Sequence, residues 1–220
     1  MGLKLAPGHD RAAITVTNQG VEGVVMQVET VSWTQADGSD HYAPTRELLV
    51  NPPLFTLKPG HVQVLRIGLR QPPSGERESA FRLLLREVPP AGSTRVGSNG
   101  GGQGKVRVLL QIRLPVYVEP AKVIRDQQWQ IQRSNDGAFT VVVTNTGTVH
   151  MVISELTLRA ADAAINSPAL ASIKASTAVF PGQRGSWVLH PQTDVEGLHF
   201  TLDVATDQGP QNVALDLGRP

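Results

Sequence analysis

"KVRVLLQIRLPVYVEP", residues 105–120, decides how this chain is read. With period two, Val106, Val108, Leu110, Ile112 and Leu114 fall on one face, and Lys105, Arg107, Leu109, Gln111 and Arg113 on the other. That alternation is a strand signature, since successive side chains of an extended chain point to opposite faces. A glycine-rich run, "SNGGGQGK", precedes it and Pro120 closes it. One face is suited to apolar material and the other to water, as in an antiparallel sheet covered on one side.

The rest of the chain repeats the pattern in shorter pieces. "AAITVTNQG", "VVMQVETVSWTQADGSD", "HVQVLRIGLR" and "FRLLLREV" are rich in Val, Ile, Leu or Thr and are bounded by Gly, Pro, Asn or Asp. The 16 prolines and 21 glycines leave few windows for a long helix. "VNPPLF" cannot be a central strand, because two prolines remove two donors; it reads as an edge or a bend with room for a cis X-Pro bond. Asn135-Asp136-Gly137 predicts a hairpin turn in the second half, and Asp207-Gln208-Gly209 another. Both halves contain a "TN.G" turn, at residues 17–20 and 144–147, and later a Pro-Gly turn before a strand, at Pro59-Gly60 and Pro181-Gly182. The reading is all-β, with two sandwiches joined near residue 120, residues 1–120 and 121–220. One large barrel is the alternative.

Composition narrows the function. Hydrophobic residues make up 40% of the 220, enough for a real core, and charged residues only 18%, which argues against a disordered chain. Twenty Lys and Arg against 19 Asp and Glu give no reason to propose nucleic acid or a membrane surface as partner. Without cysteine there is no disulfide, no thiol nucleophile and no cysteine-bound metal. No run of 18 apolar residues occurs. "MGLKLAPG" lacks the basic start and apolar core of a signal peptide, which alone points to the cytosol.

Catalytic signatures are missing too. The six histidines, His9, His41, His61, His150, His190 and His199, form no H-x-x-x-H pair and read as ordinary strand or surface residues. Asp37, Asp40 and Glu47 flank a loop, but their spacing fits no calcium loop. There is no G-x-S-x-G, P-loop or dinucleotide fingerprint. What remains is "RESAFRLLLREVPP", residues 77–90, followed by a long loop and the opening strand. If the two strands pair antiparallel, Arg82 and Arg113 come together near the interdomain linker. Paired guanidinium groups suit a carboxylate, which arginine binds in a bidentate fashion.

"ELLVNPPLFTLKPGHVQVLRIGLR", "ESAFRLLLREVPP" and "RLPVYVEP" resemble, in order and spacing, the periplasmic chaperones of pilus assembly, in particular the archaic branch of the chaperone–usher pathway. The resemblance covers most of residues 15–120; the second half matches in outline. It implies two immunoglobulin-like sandwiches set in an L around a cleft, with no enzymatic activity, metal, ATP or small-molecule cofactor. It implies pilus subunits as partners, held by donor-strand complementation and passed to an outer-membrane usher. Val106, Val108, Leu110 and Ile112 would fill the subunit's open groove. At roughly 1.5–3 kcal/mol each, three or four such side chains contribute a gross ~5–12 kcal/mol. An aliphatic edge left open is an aggregation hazard, so self-association through it is expected in the free state.

The chain departs from the family's pattern in places. The position of the usual strand lysine is Pro115, or Arg113 if a short insertion precedes Pro120, and that of the usual first-strand arginine is Gly2. Arg82 and Arg113 are therefore expected to take over as anchors for the subunit's C-terminal carboxylate. Glu78 and Asp207 match acidic members of an interdomain polar cluster whose usual arginine is here Glu119. The resemblance also reverses the reading of location: the periplasm, with a leader already removed, is the expectation. Two other readings compete. A structural or adhesive sandwich would use the same edge for self-association alone, whereas a chaperone would form a one-to-one heterodimer with a subunit. A carbohydrate-binding or hydrolytic β-protein would want stacking rings and paired carboxylates, and aromatics are only 5%.

Overall fold

The computed structural model describes residues 2–36, 38–73, 75–89, 108–161, 168–193 and 195–217. Every regular element among them is a strand: β1 (Leu3–Leu5), β2 (Arg11–Thr17), β3 (Val24–Ala36), β4 (Ser39–Pro44), β5 (Leu48–Asn51), β6 (Leu54–Leu57), β7 (Val62–Leu69), β8 (Ser79–Val88), β9 (Gln111–Val118), β10 (Gln127–Arg133), β11 (Phe139–Asn145), β12 (Met151–Ala160), β13 (Ala171–Val179), β14 (Arg184–Leu189), β15 (His199–Thr206) and β16 (Gly209–Asp216).

The chain divides into two compact units. The first comprises Met1–Trp33, Tyr42–Gly75 and Ser79–Ala121; the second comprises Thr34–His41, Glu76–Glu78 and Lys122–Pro220. The second unit thus takes in two short excursions of the chain, Thr34–His41 and Glu76–Glu78. Each is held in the second unit by specific bonds. The Gln35 side chain donates to Ala178 O at 2.8 Å and accepts from Phe180 N at 3.1 Å, standing in for a strand. Glu78 N donates to Thr148 O at 2.8 Å.

In the first unit one sheet runs β1-β9-β8-β3-β4, with β6 also on β3, and the second runs β2-β7-β5. Between them lie Leu5, Met26, Val28, Leu48, Phe55, Leu57, Leu65, Ile67, Phe81, Leu83, Leu85, Val116 and Val118. Period two accounts for the choice. In β7, Leu65 and Ile67 are buried while Val64 and Arg66, which alternate with them, are exposed. In the second unit the sheets are β10-β11-β14 and β13-β12-β15-β16, closed over Phe139, Val141, Ile153, Leu156, Leu158, Phe200 and Leu202 among others.

The repeated turns are wired alike in the two units. Asn18 Nδ2 donates to Glu22 O and Leu57 O, and Asn18 Oδ1 accepts from Gly20 N. Asn145 Nδ2 donates to Val149 O and Val179 O, and Asn145 Oδ1 accepts from Gly147 N. The Pro-Gly turn then closes on the same asparagine: Gly60 N donates to Asn18 O, and Gly182 N to Asn145 O, each at 2.8 Å. Gly60 and Gly182 have φ of 72° and 79°, the left-handed value a type II turn needs at its third residue. Asn51–Pro52 is a cis bond in the bend between β5 and β6.

Candidate functional site

The strand of residues 105–120 is shorter than its alternation suggests. β9 begins at Gln111, while Val108, Leu109 and Leu110 are described but lie outside any strand. Val106, with Lys105 and Arg107, falls outside the described residues. β9 pairs antiparallel with β8 from Ser79↔Val118 to Arg86↔Gln111. β8 itself runs on to Val88, two residues past its last register pair with β9, so the ladder stops before β8 does. The last rungs are Glu87 N donating to Leu110 O at 2.9 Å and Leu110 N donating to a Glu87 carboxylate oxygen.

On its other side β9 is only partly covered. β1 runs parallel to it and pairs with Val116, Tyr117 and Val118 alone. Among the described residues, Gln111–Pro115 have no strand partner on that margin. Because Leu110 bonds back to β8, alternation directs the N–H and C=O groups of Gln111 and Arg113 to the open margin. Pro115 sits at an alternate position too, so its missing N–H removes nothing from the β8 ladder.

The aliphatic row leaves the core gradually. Val116 is fully buried, Ile112 is 39% exposed, Leu110 54% and Val108 86%. These residues continue the inward row of the sandwich past the point where the sandwich can cover it.

The opposite face of the same sheet carries the cations. Register puts Arg82 opposite Pro115 and Arg113 opposite Leu84, so the two arginines are diagonal neighbours, about 7–8 Å apart at Cα. Neither makes an ion pair or a side-chain hydrogen bond with a described residue, and Arg82 Nε is buried without an acceptor. Instead the Arg82 guanidinium lies 3.8 Å over the Trp33 ring and 5.5 Å from the Tyr42 ring centre. Trp33, buried at the end of β3, is 6.3 Å from Tyr42 and 6.0 Å from Tyr117 between ring centres. Ala80 lies between Trp33 and Tyr117 in register, and its small side chain lets the two rings meet. No local sequence pattern reveals this cluster; it needs the pairing of β3, β8 and β9.

Gly2 and Pro115 lie against each other. A Cβ on Gly2 would come within 3.2 Å of Pro115 Cγ and of Tyr117 Cε2. Arg82 is directly across the ladder from Pro115.

The acidic residues have nearer partners. One Glu78 oxygen accepts from His150 Nδ1 at 2.6 Å and from His150 N at 3.2 Å, with both side chains almost fully buried. Asp207 Oδ1 accepts from Val152 N at 2.9 Å. Both sets of bonds fall inside the second unit. Glu119 pairs with Lys4 at 3.8 Å in the first. Asp40 accepts from Gln35, and Asp37 falls outside the described residues.

Residues 3–124 match the family of pili and flagellar-assembly chaperones, through its PapD N-terminal domain. The chain belongs to this family of pilus chaperones. No curated protein matches the chaperone in sequence. Solved structures do match it in fold. A chain of the pre-assembly complex of the chaperone CsuC and tip adhesion subunit CsuE, from archaic chaperone–usher Csu pili of Acinetobacter baumannii, is 15% identical with a TM-score of 0.66. That match covers 99% of this chaperone and 96% of that chain. The CupB2 chaperone of Pseudomonas aeruginosa is 18% identical, with a TM-score of 0.61 and coverage of 99% and 97%. A chain of the Salmonella enterica SafA pilin–SafB chaperone complex is 18% identical, with a TM-score of 0.63 and coverage of 97% and 93%.

Proposed function

We propose that this chaperone holds pilus subunits in the periplasm by lending them the open margin of β9, and hands them to an outer-membrane usher. Residues 1–120 act as the subunit-binding sandwich and 121–220 as the second. The observation that carries the reading is the row Val108, Leu110 and Ile112, exposed in continuity with a buried row and beside unpaired backbone groups. An incomplete subunit sandwich is the partner that uses both features: its groove takes alternate side chains and its edge takes the main-chain hydrogen bonds. Val106 would extend the same row. On the other face Arg82 and Arg113 receive the subunit's terminal carboxylate, since both lack an anionic partner among the described residues and share one face. In the free state the margin is capped by a second copy. The chemistry is binding, with no reaction catalysed.

Co-expression with a candidate pilin and purification from periplasm is the test. A one-to-one complex is expected, together with loss of self-association as measured by light scattering. A chain that self-associates but captures no subunit belongs to the adhesive or structural reading instead.

A further inference from the structure

We propose that Trp33 is a positioning residue for the carboxylate anchor: it fixes the Arg82 guanidinium by stacking and so leaves its charge unneutralised. This deepens the subunit-binding reading and rests on Arg82 being the anchor. An arginine in a sheet is ordinarily held by a carboxylate, which orients it but cancels the charge a ligand would need. Here the guanidinium is held by a ring, with its carbon 3.8 Å above the Trp33 centroid. An aromatic face attracts a cation through its quadrupole and accepts none of the five N–H donors. Nε is buried without an acceptor among the described residues, so the four N–H groups on the two Nη atoms remain as a fork for a planar anion.

Trp33 is suited to hold still. It is 4% exposed and packed by Tyr42 on the neighbouring β4 and by Tyr117 on β9, one strand beyond β8, with Ala80 giving it room. Lysine at position 82 would keep the charge but lose the planar stack, so the arrangement selects arginine. Gly2 and Pro115 fit the same account. They close against each other and against Tyr117, whose ring supports Trp33. On β8 the anchoring cation has a rigid ring beside it.

The test follows the Arg82 side chain by NMR on arginine-labelled protein, with the Nε–H resonance assigned by its loss in Arg82→Lys. In the wild type that resonance should be displaced upfield by the Trp33 ring current and should exchange slowly with water. Added sodium acetate, against sodium chloride at equal ionic strength, should shift it saturably. Trp33→Phe should keep the displacement and the acetate response; Trp33→Leu should lose the displacement and weaken acetate binding about tenfold or more. A wild-type resonance at the position of a free arginine, exchanging rapidly, overturns the stacking role without recourse to any variant that might not fold. So does a folded Trp33→Leu protein that binds acetate as the wild type does. If the wild type shows the ring-current displacement but no acetate response, Arg82 is not the anchor, and the positioning role falls with it.

Discussion

Leu110 offers the sharpest perturbation, because it is half exposed and lies outside every strand. Full burial of a leucine contributes roughly 1.5–3 kcal/mol. About half of that surface is still open here, so seating Leu110 in a subunit groove should add about 1–1.5 kcal/mol. Leu110→Ala should therefore weaken capture about five- to twelvefold. Leu110→Asp would carry a carboxylate into an apolar groove at a cost of several kcal/mol, and capture should fall by more than about a hundredfold. The same scaling gives Val108, Leu110 and Ile112 together roughly 3–5 kcal/mol gross, below what the bare sequence suggests. The reason is visible in the gradient: the sandwich already covers much of Ile112 and Leu110. The assay is titration of purified chaperone into a subunit refolding from denaturant, with heterodimer yield by size exclusion and thermal melting of each free variant. Leu109→Asp is the control, since Leu109 is exposed and belongs by parity to the opposite face. Full capture by a Leu110→Asp protein with unchanged melting would refute the role of this face, as would equal loss from Leu109→Asp.

Removing either arginine should weaken capture of a subunit with a free C-terminal carboxylate. At about 1.5–3 kcal/mol per charged hydrogen bond, Arg82→Ala should cost about 10- to 150-fold in Kd by isothermal titration, and Arg113→Ala a similar amount. A subunit extended by a few residues should be indifferent to both changes. Asn145→Ala removes three hydrogen bonds and strands the buried carbonyls of Val149 and Val179, so urea denaturation should show the second unit destabilised by about 2–4 kcal/mol. Asn18→Ala should do the same to the first unit by the same wiring. Gly147→Ala would bring a Cβ to 2.5 Å from Ile124 O and 2.9 Å from Asp126 N, so the 124–126 backbone must move; a loss of about 1–3 kcal/mol in the same assay is expected. Glu78→Ala leaves His150 N and Nδ1 without their acceptor in a dry site and should lower stability by about 2–4 kcal/mol, with Glu78→Gln milder.

Sequence alone determined whatever rests on neighbours along the chain. Period two in "VQVLRIGL" set which residues of β7 face the core, and the Asn and Pro-Gly signals at 18, 60, 145 and 182 set the corners of both sandwiches. The aliphatic row through Leu110 and Ile112 was legible for the same reason, because parity is a local property of an extended chain. Tertiary structure decided what depends on partners distant in sequence. Which part of the β9 margin is open follows from how far β1 reaches. That Arg82 stands opposite Pro115 and stacks on Trp33 follows from the register of three strands. Strand pairing is chosen by the packing of whole faces, and a shift of one residue would send every one of these side chains to the other side of the sheet. Short-range patterns specify direction and period; only the assembled sheets specify who meets whom.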